Sequence, residues 1–167
     1  MREHLLKRLS NLLVSDIMTT DVVTIAPDAS VAELVGMFKK SDVESIPVVV
    51  EGKYLVGMAY LRDLLQLYFL PKYSLSDPGK VYALRSVLTP DRPVREFMDA
   101  EPVIVQSDAR VSHLAYLMMQ NGVYKVPVVK RASMKGRDGL VKGELVGIVS
   151  ISDMVPPIFE AVLDDER

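Results

Sequence analysis

Apolar positions along the chain fall into two rhythms, and the whole alternation occurs twice. Short β-branched runs, Val22 to Ile25 and Val103 to Val105, end at polar breaks carrying Pro27-Asp28 and Ser107-Asp108. A run of that length closed by turn residues predicts a strand and its turn. Apolar residues then recur at helical spacing, as Val31, Leu34, Val35 and Phe38 in the first half and Val111, Leu114, Leu117 and Met118 in the second. That period marks one buried helix face. Ser30 with Glu33 three residues on predicts a capping box, because each side chain can satisfy the other residue's free backbone N–H. Two apolar runs follow in each half: Ile46 to Val50 and Tyr54 to Tyr60, then Val126 to Val129 and Leu145 to Ile151. Glu51-Gly52-Lys53 is short enough to turn a hairpin. These runs are nearly continuous in apolar residues, so the sheets they form are expected to be covered on both faces. A last helix is expected to start at Asp63 and at Asp153.

The two halves are copies. Val14-Ser15-Asp16-Ile17-Met18 lines up with Val94-Arg95-Glu96-Phe97-Met98, and Ile46-Pro47-Val48-Val49 with Val126-Pro127-Val128-Val129, 80 positions later. Pro47 to Gly57 is 10 positions and Pro127 to Gly147 is 20, so the second copy carries a 10-residue insertion. Each copy therefore reads strand, helix, strand, strand, helix. The division expected is an amphipathic segment over 1–13, repeat one over 14–70, a linker over 71–93, repeat two over 94–155 with a basic hairpin inserted at 130–143, and a tail over 156–167. Units of about 60 residues are marginal alone, so the copies are expected to pack on each other.

Composition narrows the function. The 167 residues are 49% hydrophobic, enough for a core, and the net charge of −2 argues against a protein built to neutralise nucleic-acid phosphates. Cysteine is absent, which excludes disulfides and thiolate chemistry. No apolar run reaches membrane-spanning length, and the start, Met1-Arg2-Glu3-His4-Leu5-Leu6-Lys7-Arg8, is charged where a signal peptide is apolar. A cytoplasmic location is expected. Of two histidines, His4 is terminal and His113 falls on the polar side of a helix; the nine methionines fall at apolar positions. No hydrolase, metalloprotease or P-loop motif appears. Nothing is set up for bond-making chemistry or a metal, so no enzyme is expected.

The paired valine-rich strands after proline, each closed by Gly57-Met58-Ala59-Tyr60-Leu61-Arg62-Asp63 or Gly147-Ile148-Val149-Ser150-Ile151-Ser152-Asp153, resemble the cystathionine-β-synthase (CBS) domain family. The likeness covers residues 14–70 and 94–155. It implies an α/β (α+β) fold of two pseudo-twofold-related repeats packed sheet to sheet. It also implies two clefts that hold adenine nucleotides, and association into homodimers. The ligand implied is AMP, ADP, ATP or another adenosyl compound, bound as a regulatory signal and not as a catalytic cofactor.

An ionised aspartate can accept from both ribose hydroxyls at once, and the resemblance puts Asp153 and Asp63 in that position. Capping of the following helix is the alternative role for both. The main cleft implied is built on Asp153, with Ser150 and Ser152 for ribose or phosphate, Lys125 for phosphate and Tyr124 beside it. Met18, Thr19, Thr20, Val22 and Val23 are borrowed from repeat one, and the two valines join Val123 in the purine slot. The second cleft departs from this pattern. Tyr60 and Arg62 stand where Ser150 and Ser152 stand, and Glu44 and Ser45 replace Tyr124 and Lys125. With Val43, Asp63, Pro102 and Val103 they make a site expected to be weaker, since Glu44 repels phosphate and Arg62 only partly offsets it. The insertion Lys130 to Gly143 holds five basic residues and one acid. It is read as a solvated hairpin, with closure over a polyphosphate or a partner protein as the other option. The leading function is an adenine-nucleotide sensor acting on an effector protein not identifiable from the chain. A constitutive dimerisation scaffold and RNA binding through the basic hairpin are the alternatives, the last disfavoured by charge; no membrane role is expected.

Overall fold

The computed structural model describes residues 11–64, 89–130 and 141–165. Most of the linker, the N-terminal segment to residue 10 and the centre of the insertion lie outside the described residues. Repeat one comprises helix α1 (Val31–Ser41) and the hairpin β1 (Ser45–Val50) and β2 (Tyr54–Tyr60), followed by helical residues 61–64. Repeat two comprises β3 (Val105–Gln106), α2 (Val111–Asn121), β4 (Lys125–Lys130), β5 (Gly143–Ser150) and α3 (Ile151–Asp165). One hydrogen-bonded sheet runs in the order β1-β2-β5-β4-β3. The mixed α/β class and the doubled element order are as expected.

Local signals act as read. Ser30 Oγ accepts from the Glu33 N–H at 3.2 Å while the Glu33 carboxylate accepts from the Ser30 N–H at 2.7 Å. Val31, Leu34 and Phe38 are the buried positions of α1, and Val111, Leu114 and Met118 those of α2. The first hairpin turns where Glu51 and Gly52 both take positive φ, 51° and 71°, the twist that suits a two-residue turn between antiparallel strands.

Three elements differ from expectation. The opening strands are shorter: Val22 to Ile25 reduces to one parallel bridge between Ile25 and Val48, and β3 begins at Val105. The Ile25 N–H donates to the Pro47 carbonyl, and the Ile25 carbonyl accepts from the Val49 N–H. Extending that ladder one step back needs an N–H from Pro47, which proline lacks; Pro127 sets the same limit on β3. The last helices begin at Leu61 and Ile151, two residues before the aspartates. Asp153 sits in the first turn and reaches back to accept from the Ser150 N–H at 2.7 Å, so Ser150 takes the capping position. Finally, α3 runs on past residue 155 to Asp165 although Pro156 and Pro157 lie inside it, each removing one helical N–H donor.

The repeats exchange their leading segments. Val14 N–H donates to Ala109, Ser15 to Ser107, and Val111 N–H donates to Leu12; their counterparts run Val94 to Ala29, Arg95 to Pro27, and Val31 to Arg92. Thr19 and Ile148 trade two backbone hydrogen bonds, as do Met58 and Asp99. Val14 is accordingly buried in the core of repeat two, with Val126, Val128 and Val149, and Val94 in that of repeat one, with Ile46 and Val48. A cross-repeat ion pair joins Arg95 with Asp28, and within repeat two Lys142 pairs with Glu101 at 2.6 Å. Short pairing of Tyr54 with Glu144 and Leu55 with Gly143 links β2 to β5.

Glycine permits this exchange. A Cβ on Gly57 would lie 2.7 Å from the Asp99 carbonyl oxygen, and one on Gly147 would lie 2.7 Å from Met18 Sδ and 3.0 Å from the Thr19 carbonyl oxygen. Gly147→Ala is therefore expected to destabilise the protein by about 1–3 kcal/mol through overpacking. Gly36→Ala, in α1 with open space around it, should stabilise by about 0.5–1 kcal/mol through helix propensity. Chemical denaturation of the two variants checks both, and a Gly147→Ala protein as stable as the parent would mean the exchanged segment does not press on β5.

Candidate functional site

Equivalent residues of both repeats, at the start of β1 and β4 and the end of β2 and β5, converge. They line a cavity of about 810 Å³. Repeat one contributes Phe38, Asp42, Val43, Glu44, Ser45, Tyr60, Leu61 and Arg62, and repeat two contributes Val123, Tyr124, Lys125, Ser150, Ile151 and Ser152. Hydrogen bonds hold the two strand ends of each half together: Leu61 N–H to the Glu44 carbonyl at 2.9 Å, and Ile151 N–H to the Tyr124 carbonyl at 3.0 Å. Val43, Glu44, Ser45, Tyr60 and Arg62 of one expected cleft and Val123, Tyr124, Lys125, Ser150 and Ser152 of the other thus face one shared opening.

The repeat-two half is a cluster of hydroxyls around a carboxylate. Asp153 Oδ2 accepts from both the N–H and the Oγ of Ser150 at 2.7 Å, and Ser150 Oγ lies 2.6 Å from Ser152 Oγ. Asp153 lies behind the cavity wall, half-buried, in contact with it through Ser150. Its Oδ1 takes no hydrogen bond among the described residues. Lys125 is half-buried, and Tyr124 is 71% exposed. Met18 and Thr19 lie along β5, with Thr19 opposite Ile148, two residues from Ser150. Thr20 is exposed, Val22 half-buried and Val23 exposed, and none of these five borrowed residues lines the cavity.

The repeat-one half is charged differently. Arg62 stacks over the Tyr60 ring, its Cζ 4.7 Å from the centroid, and its Nε lies 3.7 Å from Asp63 Oδ1. Asp99, paired with Met58 on β2, adds a second carboxylate. The Asp63 carboxyl is pushed above its usual range, by burial first and by Asp99, against the opposing pull of Arg62. Burial, Asp99 and Asp63 push the Tyr60 hydroxyl up to about 12, again against Arg62. Ser45 is buried and Glu44 exposed; Pro102 is buried and Val103 packs on the core of repeat two, away from the cavity lining. Asp99 was missed in the sequence, although the 80-residue offset sets it against Thr19. Phe38, Asp42, Leu61 and Ile151 are further lining residues that are not among the expected site residues.

His113 is exposed, as its helical position predicts. No group of three or more histidines and carboxylates among the described residues is placed to hold a metal ion. No helix among them is long and apolar enough to cross a membrane. Lys142, one of the five basic residues of the insertion, is taken by Glu101; residues 131–140 lie outside the described residues.

Comparison with known proteins matches the CBS domain model over residues 14–69 and again over 94–158. The CBS domain-containing protein YhcV of Bacillus subtilis is 28% identical over 141 residues, covering 84% of this chain and 81% of that one. Among solved structures, CBSX2 in complex with AMP superposes with a TM-score of 0.65 at 22% identity, over 93% of this chain and 99% of that chain. A CBS domain pair in complex with 5′-methylthioadenosine and S-adenosyl-L-methionine gives a TM-score of 0.61 at 21% identity, over 93% and 98%. Both likenesses are of fold.

A hydroxyl whose folded pKa is raised contributes stability that is intact below its unfolded value and lost as pH rises through the folded one. For Tyr60 that window runs from 10.0 to about 12. Tyr60→Phe should therefore shrink the alkaline loss of stability in this window and remove one late-ionising tyrosine from the ultraviolet titration. Loss instead of a tyrosine that ionises near the ordinary 10.0 would place Tyr60 in ordinary solvent.

Proposed function

The chain belongs to the CBS domain family, and we propose that it is a non-catalytic regulatory module that binds an adenine nucleotide, AMP foremost, in the repeat-two half of the inter-repeat cavity. The observation that carries this reading is the Ser150–Ser152 pair lining the same opening as Lys125, with Asp153 hydrogen-bonded to Ser150 directly behind it. A carboxylate accepts at both oxygens, so Asp153 can keep its capping bond from the Ser150 N–H while taking ribose hydroxyls. Ser150 and Ser152 supply donors beside it, and Lys125 supplies the positive charge that a phosphate needs. AMP and S-adenosyl-L-methionine in the two related structures support the class of ligand.

A ligand that touches segments from both repeats favours whichever repeat packing brings them together, and its occupancy is thereby passed on as a population shift. The site is expected to work in a homodimer that signals to an effector protein. Exposed apolar side chains on the helices, Tyr116 and Met119 on α2 with Val155 and Phe159 on α3, support assembly between copies. The same faces would serve a scaffold whose clefts bind nothing, the second reading.

Calorimetric titration separates the two. Asp153→Ala is expected to weaken AMP by about 30- to 150-fold, or roughly 2–3 kcal/mol, through loss of charge-assisted hydrogen bonds, with Asp63→Ala nearly neutral. If AMP, ADP, ATP and S-adenosyl-L-methionine all fail to bind nucleotide-free protein, the scaffold reading replaces the sensor.

A further inference from the structure

Two-fold symmetry gives the cavity two equivalent halves, yet in only one of them does an arginine side chain lie against the aspartate. Arg62 stacks on Tyr60 at 4.7 Å and approaches Asp63 at 3.7 Å. At the equivalent position Ser152 makes only the short contact with Ser150 Oγ, and Asp153 is held by Ser150 instead of by a cation. A planar guanidinium over an aromatic ring, with its Nε toward a carboxylate, occupies the two contacts that an adenosine would make with its base and its sugar.

We propose that Arg62 is an internal occupant of the repeat-one half, competing with ligand for Tyr60 and Asp63 and limiting the chain to one bound nucleotide. The proposal rests on the adenosyl reading above. The surroundings explain why a cation belongs there. Glu44 faces the cavity, Asp99 lies close enough to raise the cost of ionising Asp63, and Arg62 is the one cation among the described lining residues of this half. An incoming nucleotide would have to displace that cation and set its own phosphate beside uncompensated carboxylates. Neutral adenosine avoids the second penalty, so it is the ligand class that an emptied half would take first.

The test is titration of adenosine and of AMP into the full chain and into Arg62→Ser, which writes the repeat-two residue into repeat one. Arg62 is largely exposed, so the change should leave the fold intact. We expect one equivalent of either ligand in the parent. In R62S we expect a second equivalent of adenosine within about tenfold of the first, and AMP weaker than adenosine at the new site. The mirror variant Ser152→Arg should cut AMP affinity at least tenfold. Two equivalents in the parent, a stoichiometry unchanged in R62S, or an R62S protein that binds its first ligand more weakly because Arg62 was a ligand contact, would each overturn the proposal. The NMR titration of the Asp63 carboxyl is independent of any ligand. It should move further up in R62S, and an unchanged titration overturns the proposal even in a protein that binds no nucleotide, the separate result that would remove the adenosyl reading.

Discussion

The structure depends on the reciprocal exchange of leading segments between its repeats. Met18–Thr19 of repeat one lies along β5 of repeat two, and Met98–Asp99 of repeat two lies along β2 of repeat one, each closed by a two-way pair of backbone hydrogen bonds. Burying those backbone groups without partners would be costly, so the joints are made completely or not at all. Each also carries an apolar anchor, Val14 or Val94, into the opposite core, where both are fully buried. Neither repeat has its whole core without the other. Glycine at 57 and 147 is the local condition for this, because the crossing chain occupies the space of a Cβ.

The cavity follows from the exchange. Strand ends of both repeats face a common opening, so any difference between the copies becomes a difference between its two halves. Five substitutions between the copies decide the chemistry: Thr19 against Asp99, Lys125 against Ser45, Tyr124 against Glu44, and, past the insertion, Ser150 against Tyr60 and Ser152 against Arg62. One half keeps hydroxyls, a carboxylate and an ammonium, a set suited to a sugar phosphate. The other gathers carboxylates around one guanidinium. A symmetric frame thus presents an asymmetric surface, and the proposed sensor function rests on that asymmetry.

Much of this was legible in the sequence because it is written twice. Apolar periods place α1 and α2, the Ser30–Glu33 pair closes as a capping box, and the repeat order points to the family. The misread parts share a cause, since each depends on a hydrogen-bond partner distant in sequence or on a cap. The strand at Val22 to Ile25 has the right residues but lacks a donor at Pro47. The helix at Asp153 starts early because the aspartate works from inside the first turn. Asp99 reads as a loop residue until its backbone is seen paired with Met58, and only the exchanged topology brings it to Asp63. That residues from the ends of both hairpins line one cavity is likewise a property of how the repeats pack.

The central claim is that the exchanged joints are part of the global core and do not fray as surface contacts. Native-state hydrogen exchange at the Thr19, Ile148, Met58 and Asp99 amides tests it directly. If the claim holds, all four exchange only through global unfolding, with the same free energy as Val126 and Val149 in the core. Rapid exchange at Thr19 and Asp99 while the β-hairpins stay protected would contradict it, and would leave two repeats that merely touch.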